Sequence, residues 1–211
     1  MSVVYSQHGV IVKTAGIDVI GGRRYNTIQM PDGKTWLAEN LDFKFCTIGG
    51  NDIPSSPNAW YYNNDETTYG WNGYKCGLLY NWYAVKFLND YRSDLCPGWH
   101  VPSKDELETL ATEIGGVSIG STKLKALDDS VTSGFPSGWN GTDDFGFGSL
   151  PSGYRSGGNF SHSNDYAGFW SNNEYSSSNA YDIRFNTSAS ITISNSAKGD
   201  AVSLRLVRDS Q

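Results

Sequence analysis

The chain has 211 residues, 38% of them hydrophobic and 14% aromatic, with a formal net charge of −6. That is enough apolar side chain for the core of one medium-sized domain and too little charge for a disordered polyanion. The acidic balance, with no Lys/Arg stripe among the aromatics, argues against a nucleic-acid partner, and no stretch approaches the roughly 20 apolar residues of a membrane-spanning helix.

In chain order, the start lacks the basic-then-apolar pattern of a secretory leader, and residues 3–13 read as a strand or an arm. From Arg24, "RYNTIQMPDGKTWLAENLD" reads as a hairpin, with Tyr25 and Ile28 before the turn signal "PDG" and Trp36 and Leu37 after it. Residues 46–75 are rich in Gly, Pro, Asn and Asp but carry Trp60, Tyr61, Tyr62 and Trp71, so they read as a long packed loop. The spacing of Leu79, Trp82, Tyr83 and Lys86 predicts a helix over 78–90. A second helix starts at a capping box of Ser103 and Glu106, runs along Leu107, Leu110, Ala111 and Ile114, and ends at Gly115. "STKLKALDD" reads as a short third helix. After Ser130 helical spacing stops. The text becomes short strands and turns, and ends in a half-buried strand where Val202, Leu204 and Leu206 alternate with Ser203 and Arg205.

Residues 173–196, "NEYSSSNAYDIRFNTSASITISNS", carry the most informative pattern. Ile183, Phe185, Ala189, Ile191 and Ile193 share one parity. Asp182, Arg184, Asn186, Ser188, Ser190, Thr192 and Ser194 share the other. Strand side chains alternate between faces, so this predicts a strand or hairpin with an apolar underside and a polar outside, not a disordered tail. Ser and Asn are poor strand formers, and Tyr, Ser, Asn and Gly together make up the mixture that antibody binding loops use. The polar side therefore reads as a binding face.

Catalytic and metal chemistry finds little support. His8, His100 and His162 are scattered: His100 reads as a packed histidine, and His162 as a contact for ligand or solvent. No Ser/His/Asp arrangement has local support, so no enzyme is expected. Acidic runs at 64–66 and 142–144 leave a structural calcium ion open, and no other cofactor is expected. Among the three cysteines, Cys46 and Cys76 either pair or stay as buried thiols, and an odd number leaves at least one unpaired in the monomer. Trp36, Trp82, Tyr83 and Trp99 read as core and Trp170 as frame, whereas Tyr166 and Tyr175 read as ligand contacts.

Six ordered strings, "DGKTWLAENLD", "GLLYNWYAV", "LCPGWHVPSKDELETL", "GFGSLPSGYR", "FWSNNEY" and "VSLRLVRD", resemble the Fibrobacter succinogenes major paralogous domain family of Bacteroidetes and their phages. The resemblance covers about 24–209. It sets 24–211 apart as the domain and leaves 1–23 as an N-terminal strand or arm, a candidate oligomerisation element. It implies an α+β, C-type lectin-like fold of the formylglycine-generating-enzyme type, with a small twisted antiparallel sheet, two main helices and long ordered loops. That enzyme activity does not carry over, because its reactive cysteine pair lies late in the domain and no Cys follows Cys96. Where many members carry a partner cysteine in the last strand, this chain has Leu206. Cys96 is then an unpaired buried thiol, as in a reducing cytoplasm.

The same fold is shared by variable proteins of diversity-generating retroelements, and 156–196 is similar to their variable repeat. The resemblance thus implies a receptor-binding or adhesin component of a phage, made in the host cytoplasm and carried on a tail tip or fibre. Its expected partner is a bacterial surface protein or glycan, without nucleic acid or membrane insertion, and a homo-oligomer (a trimer by analogy) is expected. The candidate face comprises Ser156, Asn159, Ser161, His162, Asn164, Asp165 and Tyr166, then Asn172, Asn173, Tyr175 and Tyr181. It continues through Asp182, Arg184, Asn186, Ser188, Ser190, Thr192 and Ser194. The alternatives are a secreted or surface polysaccharide-binding domain and a divergent enzyme of the same fold.

Overall fold

The computed structural model describes residues 15–49, 55–66, 70–71, 74–127 and 138–209. The arm expected at 3–13 lies outside them. The expected hairpin forms: β1 (Ala15–Ile20), β2 (Arg23–Gln29) and β3 (Lys34–Leu37) run antiparallel in succession, so the arm's 15–20 stretch belongs to the sheet. The β2–β3 turn closes with Gly33 N–H donating to Met30 O at 3.0 Å, and Gly33 has φ +76°. A glycine suits that left-handed backbone, and Asp32 Oδ1 accepts from Lys34 N–H to fix the next residue. On the outer side of the edge strand β1, Ile17 and Val19 are each 58% exposed.

The segment 46–75 is not a strandless loop. It contains β4 (Thr47–Ile48), β5 (Asn58–Trp60) and the ribbon β6 (Gly70–Trp71) with β7 (Tyr74–Lys75). The predicted helix at 78–90 is also split. β8 (Leu79–Asn81) pairs with β5, and α1 (Trp82–Asp90) begins after it. Asn81 caps that helix by accepting from Ala84 N–H, which gives the backbone a reason to change direction there. The run "LLY" is apolar on every residue, as a strand buried on both faces is.

After α2 (Arg92–Leu95), α3 (Lys104–Glu113) begins at the predicted capping box. Ser103 Oγ accepts from Glu106 N–H, and Glu106 Oε2 accepts from Ser103 N–H at 2.7 Å. Such a cap contributes about 1 kcal/mol. The third helix is the five-residue α4 (Gly120–Leu124). β9 (Tyr154–Ser156), β10 (Asn159–Ser161), β11 (Tyr166–Glu174), β12 (Asn179–Asn186), β13 (Thr192–Ala197), β14 (Ala201–Val202) and β15 (Val207–Asp209) complete the described chain.

The expectation of an α+β, C-type lectin-like fold with one small sheet and two main helices is therefore corrected. The chain is mostly β. Among the described residues, thirteen strands form three sheets, in the orders β1-β2-β3-β15, β10-β9-β14-β8-β5-β4 and β11-β12-β13, with the β6–β7 ribbon beside them. The helices are short, α3 being the longest at 10 residues. Two- and three-residue strands hold too few side chains to show alternation, so periodicity favoured the helices and undercounted the sheets.

Two apolar clusters hold these layers together. In one, Tyr25, Leu37, Leu78, Tyr80, Val85, Leu88, Trp99, Val101 and Leu204 tie the four- and six-stranded sheets to α1. In the other, Leu107, Leu110 and Ala111 of α3 and its C-cap Ile114 meet Phe169, Ile183 and Phe185 of the three-stranded sheet. Each fully buried side chain of this size contributes about 2 kcal/mol. The indole N–H of Trp82 donates to Ser171 O, that of Trp170 to Tyr80 O and that of Trp139 to Ser149 O, so these rings are buried without an unsatisfied donor. Tyr83, expected in the core, is only half-buried. None of Cys46, Cys76 and Cys96 is in a disulfide, and Cys76 and Cys96 are buried.

Candidate functional site

The candidate face lies mainly on β11, β12 and β13. The register sets Gly168 opposite Arg184 and Phe169 opposite Ile183, and on the other side Asp182 opposite Ser194 and Ile183 opposite Ile193. Paired residues project to the same side of a sheet. Ala167, Phe169, Ile183 and Phe185 therefore form the underside against α3. Tyr166, Gly168, Trp170, Asp182, Arg184, Asn186, Thr192, Ser194 and Ser196 lie on the other side. The predicted parity holds, but the polar side is not wholly open. Trp170, Ala180 and Asp182 on that side are each 0% exposed, and the first two join the core under α1.

Where this side escapes the core it forms one wall of a cleft of about 770 Å³. Tyr166, Arg184, Asn186, Thr187, Ser188, Asn195, Ser196 and Ala197 line it from the three-stranded sheet and its loop. Tyr154, Ser156, His162, Asp165, Asp200 and Val202 line it from β9, the turn after β10, and β14 with its approach. His162 stacks on Tyr154 with ring centroids 5.5 Å apart, and Tyr154 meets Tyr166 edge-on at 5.2 Å. The turn carrying His162 is unusual, with φ +61° at His162 itself. His162 Nδ1 lies 2.9 Å from Asp165 Oδ1, a local bond that offsets part of the cost of that backbone. A Cβ at position 168 would sit 2.9 Å from the Tyr166 hydroxyl and 3.0 Å from Val202 Cγ1. Glycine there leaves room for the phenol.

Arg184 connects the cleft wall to what lies beneath it. Its Nε donates to Asp182 Oδ2 at 2.9 Å, and its Nη2 donates to Asn195 O at 2.7 Å and Ser196 Oγ at 3.0 Å. Ser196 Oγ also donates to Asp182 Oδ2 at 2.9 Å, while Asp182 Oδ1 is buried without a partner. Burial pushes the Asp182 carboxyl above its ordinary value despite Arg184 and Ser196. Burial, with the Asp182 charge next, likewise raises the Tyr166 phenol, which stays protonated at neutral pH.

The loop 187–191 between β12 and β13 is pinned from below. Lys125, fully buried, sets its ammonium over the Trp139 ring at 5.1 Å. It donates to Asn140 Oδ1, to Asn186 O at 2.8 Å and to Ser188 O at 3.0 Å. Arg205 acts similarly deeper in the molecule, donating to Asn40 Oδ1, Leu37 O, Phe147 O and Gly148 O beneath the Phe147 ring. Burial without a paired carboxylate pulls its pKa down to about 9.

Of the sequence-predicted face, Ser156, His162, Asp165, Tyr166, Arg184, Asn186 and Ser188 come together in the cleft. Asp182 lies behind Arg184 as its buried counter-ion. The others do not join them. Asn172 Nδ2 donates to Val101 O, and Asn173 Oδ1 accepts from Lys104 N–H at the start of α3. Tyr175, 56% exposed, meets Tyr181 edge-on at 5.3 Å with the Lys104 ammonium 5.5 Å over the Tyr181 ring. This pair belongs to the α3 side of the sheet. Asn159, Ser161, Asn164, Ser190, Thr192 and Ser194 are not among the cleft-lining residues. Sequence reasoning missed Tyr154, Thr187, Asn195, Ser196, Ala197, Asp200 and Val202. Tyr154, Ala197, Asp200 and Val202 fall outside the expected boundary at 156–196, and no local pattern marks them.

His100 is part-buried, its Nε2 2.9 Å from Glu106 Oε1, and its backbone bridges Val207. At the acidic runs, Glu66 pairs with Lys44, and Asp143 Oδ1 accepts from Gly148 N–H at 2.8 Å. Among the described residues no group of three or more His, Cys, Asp or Glu is placed to hold a metal ion, and no helix is long and apolar enough to cross a membrane.

A search of curated proteins finds no match to this chain. Its sequence does match the Fibrobacter succinogenes major domain over residues 32–208, a span that includes β3 through most of β15 and every residue lining the cleft. The chain is therefore a member of the Fibrobacter succinogenes major domain family.

Proposed function

We propose that this protein binds a ligand in the cleft of β9–β14, and that the cleft side chains are the exchangeable part of the molecule. One observation carries this reading: among the described residues, the side chains of several lining residues hydrogen-bond only to close sequence neighbours. His162 bonds to Asp165, Asn186 Oδ1 accepts from Ser188 N–H, and Ser188 Oγ accepts from Ser190 N–H. Replacing them leaves the long-range bonds of Lys125, Arg184 and Arg205 in place. Tyr154 and Tyr166 supply rigid contact area, and the small polar side chains supply adaptable hydrogen bonds.

Such a surface suits the receptor-binding or adhesin component of a phage, diversified by a retroelement and displayed in several copies so that weak contacts add. The exposed Ile17 and Val19 on edge strand β1 would favour contact with a neighbouring copy. The test is to sequence the gene across a population that carries it. Codon changes should concentrate within 156–196 at the cleft positions and spare Ile183, Phe185 and Trp170. Equal variation along the whole domain would remove the diversification reading.

A further inference from the structure

We infer that the cleft is a site for an uncharged saccharide ring, an inference that rests on the binding role proposed above. The lining mixes polar and apolar surface in nearly equal measure, which suits a ligand with both an apolar face and polar edges. Its charges are unequal. Arg184 is offset by Asp182 directly behind it, which leaves the carboxylates of Asp165 and Asp200 facing the cavity with His162 beside them. Acidic sugars and phosphates meet like charge there, and repulsion within a half-enclosed site is stronger than in bulk water.

What remains fits the two surfaces of a neutral pyranose. The sugar's C–H face can lie on an aromatic ring, whose negative π-face attracts it. The half-exposed His162, backed by the parallel Tyr154 ring at an interplanar angle of 18°, offers such a face. The sugar's ring hydroxyls are both donors and acceptors. Asp165 and Asp200 bring acceptor oxygens to the lining, and Asn186 offers a donor and an acceptor on one amide. A cavity of about 770 Å³ has the volume of a small-molecule site rather than of a surface dent. A cationic peptide would satisfy the carboxylates but would leave the His162 ring face and the Asn186 amide unused.

The experiment is an amide NMR titration of the full chain with neutral methyl glycosides and their oligomers, their uronic-acid counterparts, and a Lys-rich peptide as separate probes. Neutral sugars are expected to shift resonances of Ser156, His162, Asn186 and Ser188, with affinity at least tenfold above the uronic acids. H162A and N186A should each weaken that binding at least fivefold while leaving the unfolding midpoint unchanged. Asp165→Asn with Asp200→Asn should raise uronic-acid binding severalfold, an effect a merely structural role would not produce. Binding of the uronic acids or the peptide in preference to neutral sugars overturns the inference, as does the absence of any cleft shift with every neutral sugar. Failure here leaves the broader binding role to be judged by codon variation, which does not depend on ligand class.

Discussion

The two sides of the β11–β12–β13 sheet share every backbone bond and differ in almost everything else. Phe169, Ile183 and Phe185 on one side are sealed against α3, each within 1% of full burial. On the other, Arg184 and Asn186 of the same β12 strand face a cleft. The contrast teaches that position on the pleat, rather than position along the chain, separates residues that hold the fold from residues free to change. It also has an intermediate zone, since Asp182 lies on the cleft side yet is as buried as the core.

Replacing the underside should cost most. Phe185→Ala leaves a void among Phe147, Phe169 and the α3 side chains and is expected to destabilise by about 3–5 kcal/mol in denaturant unfolding. A cost under about 1 kcal/mol would erase the contrast. Lys125→Met should cost about 1–2 kcal/mol, because it removes the shared donor of the part-buried bonds to the carbonyls at 186 and 188. Hydrogen exchange should then speed up in 186–191 well before β11, and uniform acceleration would contradict the pinning role.

The helix that backs the underside gives a smaller effect with a pH signature. Burial alone would raise the Glu106 carboxyl, but the His100 ring and the Ser103 amide and hydroxyl outweigh it and lower it from 4.5 to about 2. A lowered native pKa stabilises the fold above the unfolded value and loses that contribution as pH falls through the native one. Stability should thus drop by about 1–2 kcal/mol between pH 4.5 and 2, discounted for partial solvent screening. Glu106→Gln should flatten that dependence, and an unchanged slope would place the titrating group elsewhere. The smallest effects belong to the cleft: His162→Ala and Asn186→Ala should each change stability by less than about 0.5 kcal/mol.

The sequence made the local features legible and left the three-dimensional ones hidden. The Ser103–Glu106 cap was readable because both partners lie within one helical turn. The parity of β12 was readable because alternation needs only the strand itself. That Asp182 is closed over could not be read, since it depends on how Trp170 and Ala180 pack against elements far away in the chain. Nothing in "STKLKALDD", read as a short helix, marks Lys125 as buried. Its burial depends on carbonyls some 60 residues later. Tyr175 and Tyr181 matched the composition of the candidate face, yet the register sends Tyr181 to the other side of the sheet, where Tyr175 packs against it. The short strands β4, β5 and β8 were unreadable for want of length, and this is why the fold class was misjudged towards helix; the half-buried strand expected at 202–206 is instead two short strands, β14 and β15, with Ser203 and Arg205 buried between them.

The central claim, an exchangeable cleft on a fixed frame, can be tested without knowing the ligand. Two displayed libraries would be compared for protease resistance, one randomised at Ser156, His162, Asp165, Asn186 and Ser188, the other at Phe169, Ile183 and Phe185. The account predicts that most clones of the first library stay folded and almost none of the second do. Equal survival of the two libraries, or collapse of the first, would contradict it.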